Sequence, residues 1–327
     1  MIRRYDWIDC LKGFGAILVI FGHLNPAMPI ECYIYSFHMP LFFFISGILK
    51  KNKEQPLISF VKKKAKTLLA PLIIWNIIST AILMVIGYNK HQLLYGTFFI
   101  NKELPANTPI WFLLNLFICE VLYEFLLSNK IPNIAIIVVS AIIGFFTCEQ
   151  TMLPFTLYTT PISLCFYTLG SALRPKMLQN KLTNVEKCAI PILLAISILY
   201  GTLLNERISM ANGYYDNKLY FFIAAISGVI VWTLIFRILP ASKMLIKIGK
   251  QSLFLMCSQY MIFIIAQKIS IKIFKYDIWF SVSTIKATIT TIVVLLISFT
   301  FIFILNHLGK KYLWISRFSS LLGIQEM

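Results

Sequence analysis

Four side chains able to carry or exchange protons stand inside two apolar runs near the start of the chain, where lipid would exclude them. Asp9, Lys12 and His23 lie in DWIDCLKGFGAILVIFGHL (residues 6–24), and His38 lies near the start of SFHMPLFFFISG (residues 36–47). An ionisable group at bilayer depth marks a functional position by default, because hydrocarbon offers it no compensating solvent. A lone example is often a polar residue packing between helices. Four in one helical hairpin argue against that plain reading. Imidazole exchanges its proton near neutral pH, so a histidine pair offers a general base or, in a carrier, a proton relay.

Spacing sharpens the arrangement. Lys12 and His23 are eleven residues apart, about 16 Å along a helix and close to three whole turns, so both face one side. If the first run crosses outward and the second returns, His23 and His38 lie at similar depth. The two rings are then expected to share an outer cavity with Lys12 below them. Asp9 is too far along the helix to reach His23 and is expected to fix Lys12 or line the cytoplasmic entrance.

The elements that must hold these residues follow from composition. Hydrophobic residues make up 58% of the 327 and charged residues only 13%, with a mean hydropathy of +0.78. This excludes an ordinary soluble domain and predicts an all-α, polytopic integral membrane bundle. Apolar spans are expected at 7–26, 33–49, 67–87, 109–128, 131–148, 153–172, 188–204, 218–237, 251–268 and 286–306, about ten transmembrane helices. A single transmembrane domain is assigned to 1–310 and a short cytoplasmic tail to 311–327. With the N-terminus inside, 21 Lys and Arg fall in inner segments against eight in outer ones. That bias predicts both termini in the cytoplasm. Residues 268–286, predicted outside yet holding four lysines, run against it.

Asp9 and Lys12 inside the first run also argue against a cleavable signal peptide. The net charge of +17 clusters between apolar segments and not along a soluble face, so membrane topology accounts for it and nucleic acid is not expected as a partner. Seven cysteines are scattered singly, and no metal site is expected. No Gly-x-Ser-x-Gly elbow, Walker loop or His-Glu-x-x-His motif occurs, which removes the usual soluble hydrolase, nucleotide-hydrolase and metalloprotease readings.

The segment Asp9-Cys10-Leu11-Lys12-Gly13, with His23 eleven positions after Lys12, resembles the first-helix signature of the membrane-bound acyltransferase-3 family, in which an arginine occupies the place of Lys12. The run Phe37 to Gly47 is similar to that family's second helix, especially in members related to fucose 4-O-acetylases and capsule and surface-polysaccharide O-acetyltransferases. Lys63 and Lys66 ahead of Leu68-Leu69-Ala70-Pro71 resemble its basic-x-x-basic motif. Lysine replaces arginine at each of these places, so a point charge stands where a bidentate fork is usual. Trp111-Phe112-Leu113 with Asn115-Leu116-Phe117 resembles the fourth-helix signature. Trp111 also fits an interfacial aromatic belt. Gln259 stands about where many relatives carry a histidine, and an amide there can still hydrogen-bond a substrate.

The resemblance implies an O-acyltransferase of the inner (cytoplasmic) membrane that moves an acetyl group from cytoplasmic acetyl-CoA to a hydroxyl of a surface or lipid-linked saccharide. In that reading His23 is the candidate base. His38 positions it, donates toward the developing oxyanion or binds acceptor, and an acyl-histidine relay stands as the alternative to direct transfer. Lys12, Lys63 and Lys66 receive the acyl-CoA phosphates, while Asp9, Trp111, Asn115, Glu120 and Gln259 support the site or the acceptor. Glu120 and Glu124, one turn apart, must face protein or water and are expected to pair Lys12 or tune the site. The polar and aromatic loop 205–217 suits carbohydrate and equally fits an ordinary solvated loop. A proton-coupled transporter or polysaccharide translocase uses the same intramembrane residue types, and a scaffold for glycan-assembly enzymes is the plainest alternative. Membrane lipids are expected partners; the oligomeric state, homo-oligomers included, is open.

Overall fold

The computed structural model describes residues 5–50, 55–88, 107–147, 153, 155–179, 181–275 and 282–325. The expected outer loop at 88–108 falls almost wholly outside them. Helix α1 (Asp6–Gly22) and helix α2 (Met28–Leu49) form a hairpin. Asn25 supplies a positive φ of 49° in the connection and Pro26 follows it, so the chain reverses within five residues. That tight return sets the end of α1 beside the first half of α2.

The rest of the bundle gathers round α2. After α3 (Leu57–Lys64) comes a π-helical turn at Ala65–Leu69, then α4 (Ala70–Val85). Pro71 explains the turn: its ring cannot donate to, and crowds, the Thr67 carbonyl, so the backbone widens there. A 3-10 turn at Thr108–Ile110 opens α5 (Trp111–Ser128), followed by α6 (Asn133–Thr147), α7 (Thr160–Met177) and α8 (Asn184–Ile198) with a π-turn at Leu199–Leu203. Helices α9 (Lys218–Ile238), α10 (Lys243–Lys250), α11 (Ser252–Phe274), α12 (Thr284–Lys311) and α13 (Leu313–Leu321) complete it.

Among the described residues, seven helices are long and apolar enough to cross a membrane. The ten expected spans therefore reduce to seven by this measure. The other three places hold helices, but α1 has 17 residues, α6 has 15, and α7 carries Arg174 and Lys176 in its last turn.

Two glycine crossings set how closely the helices meet. A Cβ on Gly47 would lie 1.9 Å from the Tyr167 carbonyl oxygen, and one on Gly170 would lie 2.0 Å from that of Phe44. Only hydrogen fits there, so α2 and α7 touch backbone to backbone. Gly13 of α1 and Gly249 of α10 meet in the same way, with a Gly249 Cβ falling 1.9 Å from the Asp9 carbonyl oxygen.

At the end of the bundle opposite the α1–α2 turn, buried charges pair. Lys50 bonds Glu124, and Lys64 lies 2.8 Å from Glu120. Residues 311–325 are folded against the bundle: the Trp75 indole donates to the Leu322 carbonyl at 3.1 Å, and Gln251 and Gln325 exchange two hydrogen bonds. Leu322 thereby enters the main apolar core.

The segment 205–217 is a built hairpin. Ser209 and Tyr214 form an antiparallel bridge around Gly213, whose φ of 67° the tight turn requires. Asn205 and Asn217 tie its base, and Tyr158 donates to the Ala211 carbonyl from α7's approach. Ile208, Met210 and Tyr215 are buried beneath it.

Candidate functional site

The α1–α2 turn delivers His23 at the C-cap of α1 and sets Tyr35 and His38 one turn apart on α2. Tyr35 stands between the two imidazoles. Its ring meets His23 edge to face with centroids 6.1 Å apart, and His38 likewise at 4.9 Å. The Tyr35 hydroxyl hydrogen-bonds His23 Nδ1 at 3.2 Å. His38 is 4% exposed, and its Nδ1 lies 2.7 Å from the Ile34 carbonyl oxygen. A carbonyl only accepts, so Nδ1 of His38 carries the proton and donates.

Arg207 of the outer hairpin reaches back over this group. Its guanidinium lies 4.2 Å from the centre of the Tyr35 ring and is ion-paired with Glu31, in the first turn of α2. His23, Tyr35, His38 and Arg207 line one cavity of ≈ 230 Å³, closed by Trp111 from α5 and by Met256 and Tyr260 from α11. Small-ligand pockets run at roughly 300–1,000 Å³. This chamber is thus the size of reacting ends, not of a whole coenzyme.

The remaining sequence candidates fall elsewhere. Asp9 and Lys12 form an ion pair at 3.8 Å, away from the cavity wall. Lys63 and Lys66 are exposed on the α3 and π-turn segment, whereas their neighbour Lys64 holds Glu120. Glu120 is therefore paired with Lys64, and Asn115 is consumed as a structural clasp. The fully buried Asn115 amide donates to the Thr156 carbonyl and hydroxyl and to the Thr160 hydroxyl at 3.0–3.1 Å, joining α5 to the start of α7. Gln259 is buried one residue from Tyr260; its Nε2 donates weakly to the Met256 carbonyl at 3.4 Å, and its Oε1 has no hydrogen-bond partner among the described residues.

Of the wall residues, Tyr35 was not a candidate from sequence, and Arg207 entered only as one residue of the 205–217 loop. A tyrosine in an aromatic-rich helix carries no distinguishing pattern. One signal was present for Arg207: it is an isolated cation on the side where few are expected. Among the described residues no three His, Cys, Asp or Glu side chains gather as a metal set.

Long apolar helices around a histidine pair, His38 buried and His23 partly exposed, with an arginine-roofed chamber at one end, define a multi-pass membrane protein with a polar site inside the bundle. Residues 5–307 match a family model described as an acyltransferase domain, and the chain belongs to the acyltransferase-3 family. It is also 31% identical over 180 residues to nodulation protein NolL of Mesorhizobium japonicum. That alignment covers 50% of this chain and 46% of the relative, so the likeness spans about half the length of each. No solved structure matches the chain.

Proposed function

We propose that this chain is a membrane O-acyltransferase that moves an acetyl group from cytoplasmic acetyl-CoA to a hydroxyl of a surface or lipid-linked saccharide. It works in the inner membrane with both termini in the cytoplasm. One observation carries the reading: in a chain of an acyltransferase family, His23 and His38 line the same small chamber. A sugar hydroxyl is a poor nucleophile at neutral pH, and a neutral imidazole hydrogen-bonded to it takes its proton as attack on the thioester begins. The chamber's aromatic walls and the polar edge of the 205–217 hairpin suit a sugar ring.

The donor approaches from the opposite side. Lys12, Lys63 and Lys66 supply positive charge for its phosphates along the inner half of the bundle, with Asp9 holding Lys12 in place. Trp111 lines the acceptor end, Gln259 supports it from the position next to Tyr260, Asn115 keeps α5 on α7 behind Trp111, and Glu120 anchors the α3 segment that bears the lysines.

Purified protein in nanodiscs, given radiolabelled acetyl-CoA and a saccharide acceptor, tests this. Label on the glycan is the expected result, abolished by H23A or H38A in normally inserted protein. Solute flux that needs no acetyl-CoA, with no labelled glycan, would instead identify a carrier.

A further inference from the structure

We infer that the two imidazoles hold opposite tautomers and so divide the chemistry: His38 takes the proton from the acceptor hydroxyl, and His23 donates a hydrogen bond to the thioester oxygen. Arg207 and Tyr35 are the positioning residues that fix His23 in the donor form. The inference rests on the acyl-transfer reading above, and it moves the base from His23, where the sequence placed it, to His38.

The argument begins with what each ring nitrogen already does. His38 spends Nδ1–H on the Ile34 carbonyl, 2.7 Å away. Its neutral ring then has a lone pair on Nε2, left for the chamber that the side chain lines. A group in that state accepts protons. His23 has its Nδ1 3.2 Å from the Tyr35 hydroxyl, a contact with two possible directions. Were His23 the donor, the phenol hydrogen of Tyr35 would have no acceptor among the described residues, in a side chain only 9% exposed. An unmade hydrogen bond of that kind costs roughly 1–3 kcal/mol. Arg207 pushes the same way, since a cation 4.2 Å from the ring centre draws electron density from the phenol and makes its O–H the better donor. Tyr35 therefore donates to Nδ1, and His23 keeps its proton on Nε2.

The step balances as follows. The acceptor oxygen attacks the thioester carbon while its proton passes to His38 Nε2, and the carbonyl oxygen, now negative, takes the hydrogen bond from His23 Nε2–H. As the carbonyl re-forms, the carbon–sulfur bond breaks, and the leaving thiolate receives the proton from His38. Products are the acetyl ester and the free thiol of coenzyme A.

Two measurements decide the point. Nitrogen-15 spectra of histidine-labelled protein in nanodiscs, assigned with H23Q and H38Q, should show His23 protonated on Nε2 and His38 on Nδ1; the reverse pattern overturns the inference. Needing no substrate, this readout stands apart from whether acetyl-CoA is the donor. The second test places Nδ1-methylhistidine at position 23 in a Y35F background, which removes the hydroxyl the methyl group would meet. Such a ring keeps an Nε2 lone pair but has no Nε2–H. Transfer should fall about 100-fold below the Y35F parent, the usual scale for removing one oxyanion donor. Transfer equal to that of the parent would make His23 an acceptor and overturn the assignment. If unsubstituted protein transfers no acetyl group from acetyl-CoA, the functional reading fails while the tautomer spectra still judge the ring assignments.

Discussion

Arg207 sits over the ring of Tyr35, its guanidinium carbon 4.2 Å from the ring centre, although the two residues come from opposite halves of the chain. The ion pair with Glu31 holds the arginine there from the same helix that carries Tyr35. Replacing Arg207 with Gln should lower kcat by about tenfold, the effect of losing roughly 1.4 kcal/mol of stacking and charge. R207K should fall between, because a compact ammonium keeps the charge but not the planar contact. Steady-state kinetics on both variants, with insertion checked by detergent-resistant expression, measure this. An unaltered kcat in R207Q would remove Arg207 from the site.

Lys12 sits below the chamber beside Asp9. K12Q should raise the KM for acetyl-CoA several-fold and leave the acceptor KM unchanged. The K63Q/K66Q pair should act in the same direction and flatten the salt dependence of donor KM, since both side chains are exposed and their attraction for phosphate is screened. Donor titrations at two ionic strengths separate the two contributions.

Gly170 meets the Phe44 carbonyl where a Cβ would be 2.0 Å away. G170A forces α7 off α2 and should destabilise the protein by roughly 1–3 kcal/mol, the range for overpacking a filled core. A lowered midpoint in thermal unfolding of the purified protein is the expected sign. Activity should fall with it, because His38 rides on α2.

The Lys50–Glu124 pair is nearly enclosed, with side chains 4% and 12% exposed. Removing one partner, as in K50M, leaves the other charge uncompensated and should cost roughly 3–5 kcal/mol. The double replacement K50M/E124L should recover most of that loss, because an apolar pair of similar volume needs no solvation. Unfolding midpoints of the two singles and the double form the required cycle.

Topology is open to direct labelling. In a background lacking Cys148 and Cys188, E206C should react with a membrane-impermeant maleimide added outside whole cells. S59C, on α3, should react only after the membrane is opened. Labelling in the opposite sense would invert the bundle and the direction of donor approach.

How much of this was readable beforehand depends on which kind of contact fixes a residue's role. His23 and His38 stood out because an imidazole in an apolar run is expensive wherever it lands, and an outward crossing followed by a return puts both near one surface. The family signature was legible for the same reason, being carried within single helices. Asn115 misled: a polar side chain in an apolar helix looks available, and only the crossing of α5 with Thr156 and Thr160 shows its amide to be used up. Glu120 found Lys64 because α3 packs beside α5, a pairing no periodicity encodes. Span length misled in another way. Helix α1 is shorter than the apolar run that suggested it, since Asn25 with Pro26 turns the chain sooner than hydropathy falls.

Because the chamber's walls reach from Val19 to Tyr260, it does not exist while the ribosome has made only the first half of the chain. The early hairpin emerges with both histidines in place but without the arginine roof or the α11 wall, so a nascent chain has no assembled chamber in which to spend an activated acyl group on water. Competence arrives late in biogenesis, when the 205–217 hairpin has been carried across. Two halves divided in the 179–183 connection and made separately should each be silent, and reassociation in one membrane should restore turnover.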